Sequence, residues 1–129
     1  MQNEKLKITE QNLKFDIKIR SYKYALEVIK LIDSLTNSST TRILGDQLLR
    51  SATSIGANIV EAQAASSRKD FKNFLNHALK SANETKFWLA LLRDSGKKSK
   101  EDTEPLLKEA KELSNILASS IITLKNKKF

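Results

Sequence analysis

The chain has 129 residues, 40% of them hydrophobic, which suits one compact domain with a core of its own. It has no cysteine and a single histidine, so disulfides, thiolate catalysis and cysteine-ligated zinc are excluded together. Lys and Arg outnumber Asp and Glu by 23 to 15, a net charge of +8 that favours an acidic partner such as nucleic acid without establishing one.

Residues 1–11 lack the apolar core of a targeting peptide, and no run approaches the roughly 18 apolar residues of a membrane span, which points to a cytoplasmic protein with no membrane role. Three Gly and one Pro leave little material for β-turns. Four stretches of helical period occupy about 13–35, 41–65, 68–95 and 103–125. In the first, Phe15, Ile19, Tyr22, Leu26 and Ile29 share one face, and Arg20, Lys23, Glu27 and Lys30 share another. Residues 36–40 form a polar loop whose last members can cap the second helix.

The second helix places Leu44, Leu48, Ile55, Ile59 and Ala62 on one side. Ser67 and Asp70 then have capping-box spacing at the head of the third, whose apolar face holds Phe71, Leu75, Ala78, Ala82 and Leu89. Gly96 is placed as its C-terminal cap, and Asp102 as the next N-cap, with Pro105 in the first turn. Leu106, Ala110, Leu113, Leu117, Ile121 and Leu124 make the fourth stripe. Long helices joined by short connections predict an all-α, antiparallel up-down-up-down four-helix bundle spanning 1–129 as a single domain.

The second helix carries little charge. Away from its main stripe stand Leu49, Thr53, Gly56, Ala57, Val60 and Ala64. A helix that is apolar most of the way round is enclosed on more than one side. This face therefore predicts a homo-oligomer interface, unless the helix is simply sunk between its neighbours.

Arg50, Ser54, Asn58 and Glu61 form a polar stripe on the second helix, and His77, Ser81, Glu84 and Trp88 form another on the third. The structural reading is a buried polar network of Arg50, Ser54, Asn58, Glu61 and Glu84, with Arg50 pairing Glu84 and Ser54 or Asn58 bonding across helices. The functional reading is a polar pocket for a ligand or a partner side chain. Catalytic chemistry is missing. There is no glycine-rich phosphate loop, and the Glu-x-x-His pairs of di-iron bundles need two histidines. His77 sits mid-helix beside an apolar face, the setting of a hydrogen-bonded structural histidine. Nothing supplies a nucleophile or oxyanion site near Glu61 and Glu84, so the expectation is a non-enzyme with no cofactor and no metal.

The remaining cations fall in two groups. Arg20, Lys23 and Lys30 lie on the first helix; Lys69, Lys72, Lys80 and Lys86 span the third, with Phe87 among them. One reading is a solvated surface; the other is a phosphate-contacting face on which Phe87 stacks a base.

The segment from Gln47 to Ala62, QLLRSATSIGANIVEA, resembles the second-helix signature of the four-helix-bundle proteins first noticed in intervening sequences of bacterial large-subunit ribosomal RNA genes. The likeness continues through Asp70-Phe71, Phe74-Leu75 and the run from Ala78 to Leu89. Ala62 stands where many members have Gly, and Lys80-Ser81 where they have Gly-Ser. The resemblance implies an antiparallel bundle that assembles into a ring, commonly a pentamer. It extends to the accessory variability protein of diversity-generating retroelements, a basic pentameric barrel that engages reverse transcriptase and nucleic acid. The family's polar signature falls here on Arg50, Ser54, Asn58, Glu61 and Glu84. Together these features predict an oligomeric bundle that binds structured RNA or a ribonucleoprotein through outer lysines. The alternative is a protein-interaction scaffold with a polypeptide partner.

Overall fold

The computed structural model describes the backbone of residues 10–126 and the side chains of residues 17–124. Four helices make up the described chain: α1 (Glu10–Asp33), α2 (Ser39–Gln63), α3 (Arg68–Asp94) and α4 (Lys100–Asn126).

Short polar caps set the helix ends. Ser38 Oγ accepts from the Thr41 amide while Thr41 Oγ1 accepts from the Ser38 amide, a reciprocal box with Thr in the place usually held by Glu. Ser67 Oγ likewise accepts from the Asp70 amide at the start of α3. Gly96, with φ +74°, lets the end of α3 close as a Schellman turn. The Lys97 amide donates to the Leu92 carbonyl and the Gly96 amide to that of Arg93.

The start of α4 differs from the sequence expectation. Ser99, not Asp102, is the cap: its Oγ accepts from the Asp102 amide at 3.1 Å. The helix therefore begins at Lys100, and Pro105 lies beyond its first turn. Serine outcompetes aspartate here because Ser99–Asp102 repeats the spacing of Ser67–Asp70, leaving Asp102 at the positive end of the dipole.

Cross-helix contacts fix the topology. Gly56 faces Ser21, and Gly45 faces Ile32 and Leu35, so α1 and α2 run in opposite directions. Thr85 Oγ1 donates to Ser51 Oγ and Ser81 Oγ to Ser54 Oγ, both at 2.9 Å, which sets α2 against α3. Arg93 to Glu104 and Ser114 to Asn83 do the same for α3 and α4. Arg20 reaches Glu109, and Tyr24 reaches the Leu106 carbonyl, closing α4 on α1. All four neighbouring pairs are antiparallel, the up-down-up-down bundle.

The core is aliphatic. Leu48, Ile55, Leu89, Leu92, Leu113 and Leu117 are fully enclosed, each contributing about 1.5–3 kcal/mol by leaving water. Ala52, Ala78, Ala82 and Ala110 between them let the helices approach. The stripes of α2, α3 and α4 face this core.

The stripe read on α1 does not. Ile19, Tyr22, Leu26 and Ile29 are all exposed, Tyr22 by 66%, and the buried side is instead Ser21, Tyr24, Val28 and Leu31. The side chain of Phe15 lies outside the described residues. Apolar residues occupy two opposite sides of α1, and periodicity reports a stripe without saying which one the bundle takes. Among the described residues, no helix is long and apolar enough to cross a membrane.

Candidate nucleic-acid interface

Two outer surfaces and one polar seam follow from this packing. The seam lies between α2 and α3. Arg50 pairs with Glu84 across the helices and with Gln47 within α2. Glu84 Oε2 also accepts from the indole N–H of Trp88 at 3.0 Å. Farther down, Ser81 donates to Ser54, and the Asn58 amide donates to the Ser54 carbonyl and hydroxyl.

The seam thus contains Arg50, Ser54, Asn58 and Glu84, and every buried polar side-chain atom among the described residues has a partner. Glu61 is not part of it: it is exposed and makes no ion pair among the described residues. Nor is the ion pair buried, since the Arg50 and Glu84 side chains are 56% and 37% exposed. The projection placed these groups beside the apolar stripe, but at the bundle's rim, where water still reaches them. His77 is also exposed, resting near the Phe74 ring without a hydrogen bond among the described residues, so it is not a buried structural histidine. Among the described residues no group of three or more His, Asp or Glu is placed to hold a metal ion.

The cations of α1 and α3 have different fates. Arg20 donates from Nε and Nη2 to Glu109 and from Nη2 to Glu112, which raises its pKa, the Glu109 hydrogen bond being the main cause. Lys30 pairs with Glu27 one turn away, and Lys23 stands exposed. Arg20 and Lys30 are therefore already neutralised, while Lys23 and Lys18 are not paired among the described residues. On α3, Lys69, Lys72, Lys80 and Lys86 have no ion-pair partner among the described residues; Lys69 and Lys80 are exposed and Lys72 and Lys86 half-buried along their stems.

Two further cations belong to this surface and escaped the sequence reading. The Arg93–Glu104 and Asn83–Ser114 contacts set a register that brings Lys111 of α4 level with Lys86. Lys108 lies one turn away, and both are exposed. Their signal was the polar flank Lys108, Lys111 and Asn115, hidden among the acidic residues of α4.

Residues 13–119 match the family described as 23S rRNA-intervening sequence protein. The chain belongs to that family. It is also similar to a crystal structure of a protein of unknown function from the S23 ribosomal protein family of Bacteroides thetaiotaomicron, with 41% sequence identity and a TM-score of 0.79. The match covers 84% of this chain and 96% of the other. No curated protein matches.

The other outer surface of this family member is apolar. On α2, Leu49, Thr53, Ala57 and Val60 are exposed, as is Ala64 at its C-cap. Gly56 is the exception: it is turned inward against Ser21 of α1 and takes no part in the outer face. The Gly45 and Gly56 contacts bring Leu49 level with Ile29 and Thr53 level with Leu26 and Tyr22. Leu49, Thr53 and Val60 lie within about 60° of Gly56 on the helical projection, on the outer side of the α1 seam. The outward stripe of α1 and the small-residue face of α2 are therefore one continuous surface. Its α1 half is the apolar stripe of Ile19, Tyr22, Leu26 and Ile29.

Proposed function

We propose that this protein is a non-enzymatic, cytoplasmic homo-oligomer that binds structured RNA or a ribonucleoprotein through the basic α3–α4 face. One observation carries the reading. Lys69, Lys72, Lys80, Lys86, Lys108 and Lys111 stand along α3 and α4 without carboxylate partners among the described residues, whereas Arg20 and Lys30 on α1 and Arg50 in the α2–α3 seam are paired. Unpaired lysines spread along two helices suit a phosphate backbone, whose neutralisation releases counterions and supplies sequence-independent affinity. The family's description by a ribosomal RNA intervening sequence agrees in chemistry.

The continuous apolar surface of α1 and α2 supports self-association, because exposed patches of this kind mark protein contacts. A ring of five is the arrangement that the family resemblance implies. The same surface also favours a second reading, a scaffold whose partner is another polypeptide.

The test is fluorescence anisotropy of a labelled structured RNA titrated at low and moderate salt. The expected result is binding that weakens steeply with salt, and weakens further when Lys72 and Lys80 are changed to Glu while the assembly mass is unchanged. Absence of binding at low salt removes the RNA reading and leaves the scaffold.

A further inference from the structure

Phe87 stands on the outer side of α3 with 56% of its surface exposed, an unusual place for a large apolar ring. The ring is held in position. Trp88 packs against it edge to face, with centroids 5.1 Å apart and planes at 73°. Trp88 in turn is anchored through its indole N–H to Glu84. Trp88 covers at most one face of the Phe87 ring, so a planar group has access to the other.

Asn83 lies one turn before Phe87 on the same side. Ser114 Oγ, whose proton goes to the Ala110 carbonyl at 2.9 Å, lies 3.4 Å from the amide of Asn83, an exposed side chain that can offer either a donor or an acceptor outward. Lys80 precedes Asn83 by another turn, Lys86 is adjacent in sequence, and Lys111 is level with it on α4. A ring, an exposed amide and three cations thus share one patch.

Resting on the RNA-binding reading, we propose that Phe87 and Asn83 form the seat of a single unpaired nucleotide. The base stacks on the Phe87 ring, the Asn83 amide hydrogen-bonds to its edge, and Lys80, Lys86 and Lys111 hold the flanking phosphates. The physical reason is accessibility. Bases in an A-form duplex are closed in the stack and its major groove is too deep and narrow for side chains, whereas loops and bulges offer bare π-faces. Stacking tolerates any base, so the site selects for an unpaired nucleotide rather than a sequence. The RNA recognised is therefore looped, bulged or single-stranded at this contact, not uninterrupted duplex.

The experiment compares two labelled RNAs of equal nucleotide count, a stem with an unpaired loop and a blunt duplex, by anisotropy at one salt concentration. Trp88 is the sole tryptophan of the chain, so its emission gives a second readout beside the ring. The expected result is tighter binding of the looped RNA with a change in Trp88 emission. Phe87→Leu, which keeps the apolar bulk, should weaken looped-RNA binding about 5- to 100-fold and leave duplex binding unchanged, while Phe87→Tyr retains the preference. Equal affinity for both RNAs, unmoved by Phe87→Leu, overturns the stacking site but leaves the phosphate-binding face intact. Binding of neither RNA removes both. A change in assembly mass on Phe87→Leu, with RNA affinity unaltered, overturns the proposal and assigns the ring to a protein contact.

Discussion

Ser21 of α1 lies so close to Gly56 of α2 that a Cβ on the glycine would sit 3.1 Å from Ser21 Oγ. At Gly45 the same addition meets only Ile32 and Leu35 side-chain carbons, at 3.5 and 3.7 Å, ordinary van der Waals separations. Helix propensity favours Ala over Gly by about 0.8–1 kcal/mol at either position. Gly45→Ala should therefore raise stability by about that amount, while crowding at Ser21 should cancel most or all of the gain at Gly56. Ser21 Oγ donates only to the Lys18 carbonyl within its own helix, so Ser21→Ala orphans no donor. In that background Gly56→Ala should recover its gain. Urea denaturation of the four variants measures the coupling, and equal effects at both glycines would refute this account of the α1–α2 contact.

The Arg50–Glu84 pair separates stability from appearance. A buried pair that loses one partner costs about 3–5 kcal/mol, but this pair is largely open to solvent. Arg50→Ala should therefore cost at most about 1 kcal/mol. Glu84→Ala should cost more, because it also deprives the part-buried Trp88 indole N–H of its acceptor. Glu84→Gln, which keeps a carbonyl oxygen for the indole, should fall between the two. Thermal unfolding decides the order, and a larger loss for Arg50→Ala than for Glu84→Ala would invert the assignment.

These two cases show where sequence reading ends. The apolar stripes of α2, α3 and α4 were legible because each helix buries one side and exposes the other, so period and burial coincide. On α1, Ile19, Tyr22, Leu26 and Ile29 form as regular a stripe as Ser21, Tyr24, Val28 and Leu31, and hydrophobicity favours the exposed one. Only packing partners such as Gly56 and Leu106 decide which turns inward. The polar seam was legible as a set of types and spacings. Its depth was not, because the distance of Arg50 from the bundle axis depends on how α2 and α3 cross. Lys111 was missed for a related reason: its place beside Lys86 is a matter of inter-helix register, invisible along one strand of sequence.

Tyr24 gives the fold a pH dependence at the alkaline end. Its ring is buried and its hydroxyl donates to the Leu106 carbonyl at 2.8 Å. Burial, aided by the charge of Glu109, pushes the phenol well above its ordinary value of 10.0. Below about pH 10 both folded and unfolded chains keep the proton, so Tyr24 contributes its full stabilisation. Above it the unfolded chain loses the proton first, and stability falls by up to about 1.4 kcal/mol per pH unit. Tyr24→Phe should lower stability by about 1 kcal/mol at pH 8 through the lost hydrogen bond. Its deficit should then shrink, and reverse, as pH rises past 10. Parallel stability curves for the two proteins up to pH 11 would show that Tyr24 is not the group responsible.

The outward face of α1 and α2 makes the sharpest test of assembly. Leu26, Ile29 and Val60 are exposed in the bundle and lie outside its own core, so charges there cost the single subunit little. In a subunit contact the same charges would be buried without partners, at several kcal/mol each. Leu26→Glu combined with Val60→Glu should therefore leave helicity unchanged by circular dichroism while light scattering falls to the 14.6 kDa of one chain. The control is Ile43→Glu, an exposed apolar position on α2 away from this surface, which should leave the mass alone. A wild-type mass of 14.6 kDa at micromolar concentration would end the oligomer reading outright. Loss of helicity together with mass in the double variant would instead show that the outward face is needed to fold the subunit, as in assemblies whose monomers have no stable fold.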